Sequence, residues 1–117
     1  MANDQNLKQG KWSRAGRSIE LPAECPDEVP PIPSNRATRW GDSERERWES
    51  IWKGPAAVLY DDAQTGAVAL LIDLEAAQAQ GKLQAAQLTE YRRLLSDLLL
   101  TPQALSGAGF RLPGWPT

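Results

Sequence analysis

The sequence predicts an all-α fold: a short N-terminal helix followed by a long antiparallel helical hairpin, with an extended proline-rich arm in front. Three observations predict it. Apolar residues between Pro55 and Leu105 recur three and four positions apart, the period of a helix and not of a strand. Seven of the nine prolines lie outside Pro55 and Pro102, the two that are placed to begin helices. The break Gln80-Gly81-Lys82 between the two periodic stretches is short, which forces neighbouring helices to run antiparallel. These features divide the chain into an arm over residues 1–39, a hairpin domain over 40–106 and an apolar tail over 107–117.

In the arm, Leu21-Pro22, Cys25-Pro26 and Val29-Pro30-Pro31-Ile32-Pro33 place proline at close intervals. Each proline fixes its own φ and pushes the residue before it out of the helical region, so this stretch reads as a polyproline-like strap. Leu21, Val29 and Ile32 are its apolar anchors. Residues 1–19 hold Lys8, Lys11, Arg14 and Arg17 against Asp4, a net +3, which leaves −5 for the remainder. A basic arm on an acidic body is found in chains that touch polyanions, although charge alone favours a solvated terminus. Trp12 within the basic run is either solvated or a contact residue. Arg36 and Arg39 beside Trp40 form a second basic cluster, either a phosphate contact or a solvated linker.

Ser43 with Glu46 three residues on reads as a capping box that starts the first helix. Trp48, Ile51 and Trp52 share one face of it, and Trp40 staples its start. Gly54-Pro55 ends that helix and begins the next, which is expected to run to Gln80. Leu59, Ala63, Gly66, Leu70, then Ile72 or Asp73, and Ala77 follow the seam spacing of a coiled coil. Gly66 costs about 1 kcal/mol relative to alanine, which a close approach of another backbone would explain. The return helix is expected over Leu83–Leu100, with Gln84, Leu88, Tyr91, Leu95 and Leu98 on its seam. Thr101-Pro102 starts one more turn. The tail holds Phe110, Leu112 and Trp115 without periodicity, either as a docking peptide or as a frayed end.

Ala67-Val68-Ala69-Leu70-Leu71-Ile72 contains no polar side chain, so it is apolar around the whole helix axis. The second arm repeats this with Leu94, Leu95, Leu98, Leu99 and Leu100. Such helices must be covered on several sides. Further copies of the chain are the expected cover, with Leu59, Leu70, Leu71, Leu74, Leu88, Leu95, Leu98 and Leu99 as the oligomerisation residues.

Chemistry is sparsely encoded. The single Cys25 permits no internal disulfide, and there is no histidine, the commonest general base and metal ligand. Asp61, Asp62, Asp73, Glu75, Glu90 and Asp97 are spaced too widely to converge on a metal. Asp62 reads instead as an ion-pair partner for Arg92 or Arg93. There is no phosphate loop, CxxC or nucleophile elbow, so neither enzymatic activity nor cofactor is expected. The polar N-terminus predicts no secretory leader, and the apolar runs are short of a membrane span.

In their order and spacing, Leu-Pro-Ala-Glu-Cys-Pro, Trp40, the Trp48 and Trp52 pair, Gly54-Pro55-Ala56, Asp62, Glu90-Tyr91-Arg92 and Leu98-Leu99-Leu100-Thr101-Pro102-Gln103-Ala104-Leu105 resemble the small subunit of phage terminase. The likeness spans about residues 21–110. One departure is Leu99, where the family form carries glycine, and this predicts a less clearly broken helix before Thr101. The resemblance implies a homo-oligomeric ring in the host cytoplasm that binds double-stranded viral DNA and hands it to the large ATPase-nuclease subunit. In that setting Lys8, Lys11, Arg14, Arg17, Arg36 and Arg39 would hold DNA, and Phe110, Leu112 and Trp115 would meet the large subunit. The alternative from another class is a helical coiled-coil adaptor or structural oligomerisation protein without DNA contact. A carboxylate metal enzyme is a third.

Overall fold

The computed structural model describes residues 18–116. Its elements are β1 (Ile19–Glu20), α1 (Ser34–Ala37), α2 (Asp42–Lys53), α3 (Thr65–Ala79), α4 (Ala85–Asp97), α5 (Pro102–Gly107) and β2 (Phe110–Arg111), with 3₁₀ turns over Pro55–Leu59 and Asp62–Gln64. The fold is mainly helical, as expected.

The centre of the molecule is α3. Val68, Ala69, Leu71, Ile72 and Leu74 are buried on it. The chain itself supplies the cover. Helix α2 contributes Trp48, Ile51 and Trp52; α4 contributes Leu94, and Leu98 follows at its end; Val29 and Ile32 of the strap close over the same cluster. Much of the expected cover thus comes from within one chain, from a strap and a short tryptophan helix, while Leu70 stays exposed at 38%. Strap residues reach the core because proline-rich backbone spends no helical hydrogen bonds on itself and leaves its carbonyls free. Trp48 Nε1 donates to the Pro30 carbonyl at 2.8 Å, and the Cys25 amide donates to the Lys53 carbonyl at 2.8 Å.

Four aromatic rings form a run beneath the strap. Trp40 and Trp48 are tilted at 5.8 Å, Trp48 and Trp52 at 5.7 Å, and Trp52 meets Tyr60 edge-on at 5.3 Å. The edge-on Trp52–Tyr60 contact is the T-shaped arrangement that ring quadrupoles favour. The Tyr60 hydroxyl donates to the Leu98 carbonyl at 2.5 Å, tying the aromatic run to the end of α4.

Several boundaries differ from the sequence expectation. The helix expected from Pro55 to Gln80 is interrupted at Tyr60 and Asp61, both extended. Asp61 stops it by capping: its side chain accepts from the Ala63 amide at 2.9 Å, and the Gln64 side chain accepts from the Asp61 amide at 2.7 Å. Helix α2 begins earlier than the Ser43–Glu46 box, with Gly41 as N-cap and its amide donating to Glu44 at 3.1 Å. The return helix starts at Ala85 and stops at Asp97, shorter at both ends. The arm is not wholly extended, since α1 forms directly after Pro33.

Helices α3 and α4 end alike. After α3, Gly81 has φ +72°, the Lys82 amide donates to the Ala77 carbonyl at 2.9 Å and the Gly81 amide to the Gln78 carbonyl at 3.0 Å. This is the Schellman arrangement. After α4, Leu99 has φ +57°, with Leu100 donating to Leu95 at 2.8 Å and Leu99 to Ser96 at 3.0 Å. The same stop is thus built on a leucine, and the expected weaker break before Thr101 is corrected. Thr101 then caps α5 by accepting from the Ala104 amide at 3.1 Å, with Pro102 in the first turn.

The two ends of the described chain meet. Strand β1 pairs in parallel with β2, Ile19 opposite Phe110 and Glu20 opposite Arg111. Leu21, Leu105 and Phe110 are buried together beside this pair, with Leu59, Leu99, Leu112 and Trp115 packed around them. No helix among the described residues is long and apolar enough to cross a membrane.

Candidate nucleic-acid and partner interface

Of the expected DNA contacts, Lys8, Lys11, Arg14 and Arg17 lie outside the described residues. Arg36 and Arg39 lie within them, and both approach Asp73 on α3, Arg36 partly buried and Arg39 still exposed. Arg36 donates through Nε at 3.0 Å and Nη2 at 2.7 Å to Oδ2, Arg39 approaches Oδ1 at 3.4 Å, and Trp40 Nε1 donates to Oδ1 at 2.9 Å. Burial alone would raise the Asp73 carboxyl; the hydrogen bonds from Trp40 and Arg36 and the charges of Arg36 and Arg39 outweigh it and hold the group below the ordinary carboxylate range. The Arg36 side chain keeps only 18% of its exposure, against 58% for Arg39. Arg36 is a clamp between α1 and α3, and a phosphate would have to compete with Asp73 for it.

Glu75, two positions on, serves the next neighbours. Arg47 of α2 holds it through Nε at 2.9 Å and Nη2 at 3.0 Å, a bidentate pair, and the Tyr91 hydroxyl of α4 donates to it at 3.2 Å. Burial, then the charge and hydrogen bond of Glu75, raise the Tyr91 phenol, with Arg47 opposing. Arg45 is also spent locally, donating to the Trp40 carbonyl at 3.2 Å and to the Ala37 carbonyl. Sequence reasoning did not single out these carboxylates as anchors. Asp73 and Glu75 sit inside an otherwise apolar stretch, and that was the available signal: a charge on a buried helix needs partners. Asp62, by contrast, makes no ion pair with Arg92 or Arg93 among the described residues; Arg93 lies 3.9 Å from Glu90.

The expected oligomerisation residues divide. Leu71, Leu74 and Leu98 are buried inside the chain and cannot meet another copy. Leu59, Leu88, Leu95 and Leu99 are half-buried, and Leu70 is exposed at 38%. Gly66 lies one turn before Leu70 and has nothing within 4 Å of where a Cβ would stand, so no described backbone of this chain explains it. Among the tail residues expected to meet a partner, Phe110 is corrected to a core residue at 4% exposure; Leu112 and Trp115 are half-buried. Arg111 fixes the tail by donating to the Ser18 hydroxyl at 2.9 Å.

Leu112 and Trp115 also line an apolar groove of about 350 Å³ whose other walls include Ile51, Pro55, Leu99 and Pro102. Ser50 and Arg47 stand among its lining residues. Its volume lies at the small end of the ~300–1,000 Å³ typical of ligand sites, enough for one or two side chains. Among the described residues no three acidic or cysteine side chains come together as a metal site would require. Comparison with family models, with characterised proteins and with solved structures finds no match to this chain.

Proposed function

We propose that this chain is the small subunit of a phage terminase: a non-enzymatic helical protein that binds double-stranded viral DNA, assembles with copies of itself into a ring, and delivers the DNA to a large ATPase-nuclease subunit in the host cytoplasm. The observation that carries the reading is the corner from Leu98 to Leu105. It is the part of the sequence on which the resemblance leans most. Its residue types have physical reasons: a Schellman stop at Leu98–Leu100, a threonine cap at Thr101 and a proline in the next first turn. The tryptophan pair of the same resemblance lies in the core that this corner closes.

DNA contact is assigned to Lys8, Lys11, Arg14 and Arg17, since Arg36 is engaged by Asp73 and Arg39 leans on it. For the ring, Gly66 and Leu70 are the exposed positions in the first half of α3, once Leu71 and Leu74 are taken by the core.

The test combines fluorescence anisotropy on a duplex over a salt series with light scattering. The full chain is expected to bind with a steep salt slope. Removing residues 1–17 is expected to flatten that slope by roughly 0.9 for each phosphate that is no longer neutralised. Failure to bind any duplex at low salt would leave the helical adaptor without DNA contact, the reading that the Arg36–Asp73 clamp favours. A monodisperse single copy at all concentrations would end the ring.

A further inference from the structure

One stripe of α3 is left uncovered by the described chain, and its charge changes sign from end to end. Asp62 and Ala63 stand in the 3₁₀ turn that leads into α3, and Gly66 and Leu70 follow on the helix itself. All four are exposed, and the spacing of three and four positions puts them on one side. Among the described residues Leu70 is the large apolar side chain that stays exposed, at 38%. Asp73 closes the stripe three positions after Leu70. There Arg36 and Arg39 converge on one carboxylate, two cations against one anion. At the opposite end Asp61 and Asp62 are both exposed, and neither makes an ion pair among the described residues. The stripe therefore runs from an acidic end, past a leucine, to a basic end.

We infer that this stripe takes a second copy of the chain, with the two α3 helices crossing antiparallel, Leu70 of each copy over Gly66 of the other and Asp62 of each beside Arg39 of the other. A two-fold contact uses the same surface on both copies, so that surface must complement itself. The stripe does so in register. Leu70 over Gly66 sets the two-fold axis at Val68, midway between them. Asp62, six positions before the axis, then comes opposite Leu74, six positions after it, and Leu74 adjoins Asp73 with its arginines. The acidic and basic ends are thus matched to within one residue, ~1.5 Å along a helix. A parallel crossing would set like charges together. Arg39 gives only Nη2 to Asp73, so its other donors have no partner among the described residues. Gly66 weakens its helix, yet open space surrounds it within the chain; bare backbone there lets a leucine from outside approach closely. The inference rests on the reading that copies of the chain meet, and adds the face and the direction. A ring that uses this face is built from antiparallel pairs.

Sedimentation equilibrium of the full chain over a concentration series reads the pairing. A single helix crossing is a small contact, so the pair is expected to form as concentration rises and to weaken with salt. Leu70→Glu, Asp62→Arg and Arg39→Glu should each weaken self-association several-fold, with thermal unfolding of the single copy as the check that each variant folds. Mixing Asp62→Arg with Arg39→Glu should restore association to near the wild-type strength. Each variant alone sets like charges together at both contacts of the pair, whereas the mixed pair joins opposite charges at both. Association at wild-type strength in all three variants, or no recovery in the mixture, would overturn the α3 contact and move self-assembly to another face. A wild-type chain that stays single at every concentration would overturn self-assembly as well and leave the stripe to a different protein.

Discussion

Arg36 reaches across from α1 to place two nitrogens on one oxygen of Asp73, at 3.0 and 2.7 Å. The pair joins the strap side of the molecule to its central helix, and Trp40 shares the same carboxylate. Asp73→Asn should therefore cost about 2 kcal/mol, the range for hydrogen bonds to a charged group that lose their acceptor's charge. Urea denaturation measures it. Arg36→Gln should destabilise comparably; if the chain binds DNA as proposed, the salt slope of that binding should stay unchanged, and a slope that fell by about one would restore Arg36 as a phosphate contact.

The same carboxylate sets a pH dependence. Its folded pKa lies below the unfolded value, which is near ~3.9. Its contribution is present above that unfolded value and is lost as pH falls toward the folded one. Wild-type stability should drop on acidification below about pH 4 more steeply than that of Asp73→Asn, in which the group no longer titrates. Parallel curves for the two proteins would remove Asp73 from the acid response.

Leu99 holds a left-handed conformation that costs an ordinary residue about 1–2 kcal/mol. Its side chain offsets this by packing against the Leu21–Leu105–Phe110 cluster. Leu99→Gly relieves the backbone and gives up the packing, so its net effect should stay within about 1 kcal/mol. Leu99→Val keeps an apolar group but adds β-branching where φ is positive, and should destabilise by more than about 2 kcal/mol. Equal stability of the two variants would show that this corner is not held as described.

Gly66 is exposed on α3 with open space around it. Gly66→Ala should raise the stability of the isolated chain by about 1 kcal/mol, or roughly 4 °C in Tm. If copies meet along Gly66 and Leu70, the same substitution should weaken assembly in light scattering. Leu70→Glu should weaken assembly without lowering stability.

Phe110 is a core residue and not a free docking side chain, so Phe110→Ala should cost about 3 kcal/mol. Hydrogen exchange should then quicken at the Ile19 and Leu21 amides, which donate to Gly109 and Arg111. A stability unchanged from wild type would mean that the two ends of the described chain do not depend on each other.

Local signals settled a good deal. Proline spacing accounts for the helix-free run over residues 21–33, the i, i+3, i+4 set Trp48, Ile51 and Trp52 determined the buried face of α2, Gly81 determined the end of α3, and Thr101-Pro102 determined the start of α5. Each of these depends on neighbours in sequence, where φ restriction and helical period act. Tertiary structure decided what covers the apolar stretch 67–72, because burial depends on segments that sequence distance separates: Val29 and Ile32 reach α3 only through the fold. It also decided that Arg36 faces a carboxylate 37 residues away and not solvent, and that Phe110 pairs with Ile19. An arginine or a phenylalanine carries no mark of its partner in its own neighbourhood; only the packed chain supplies one.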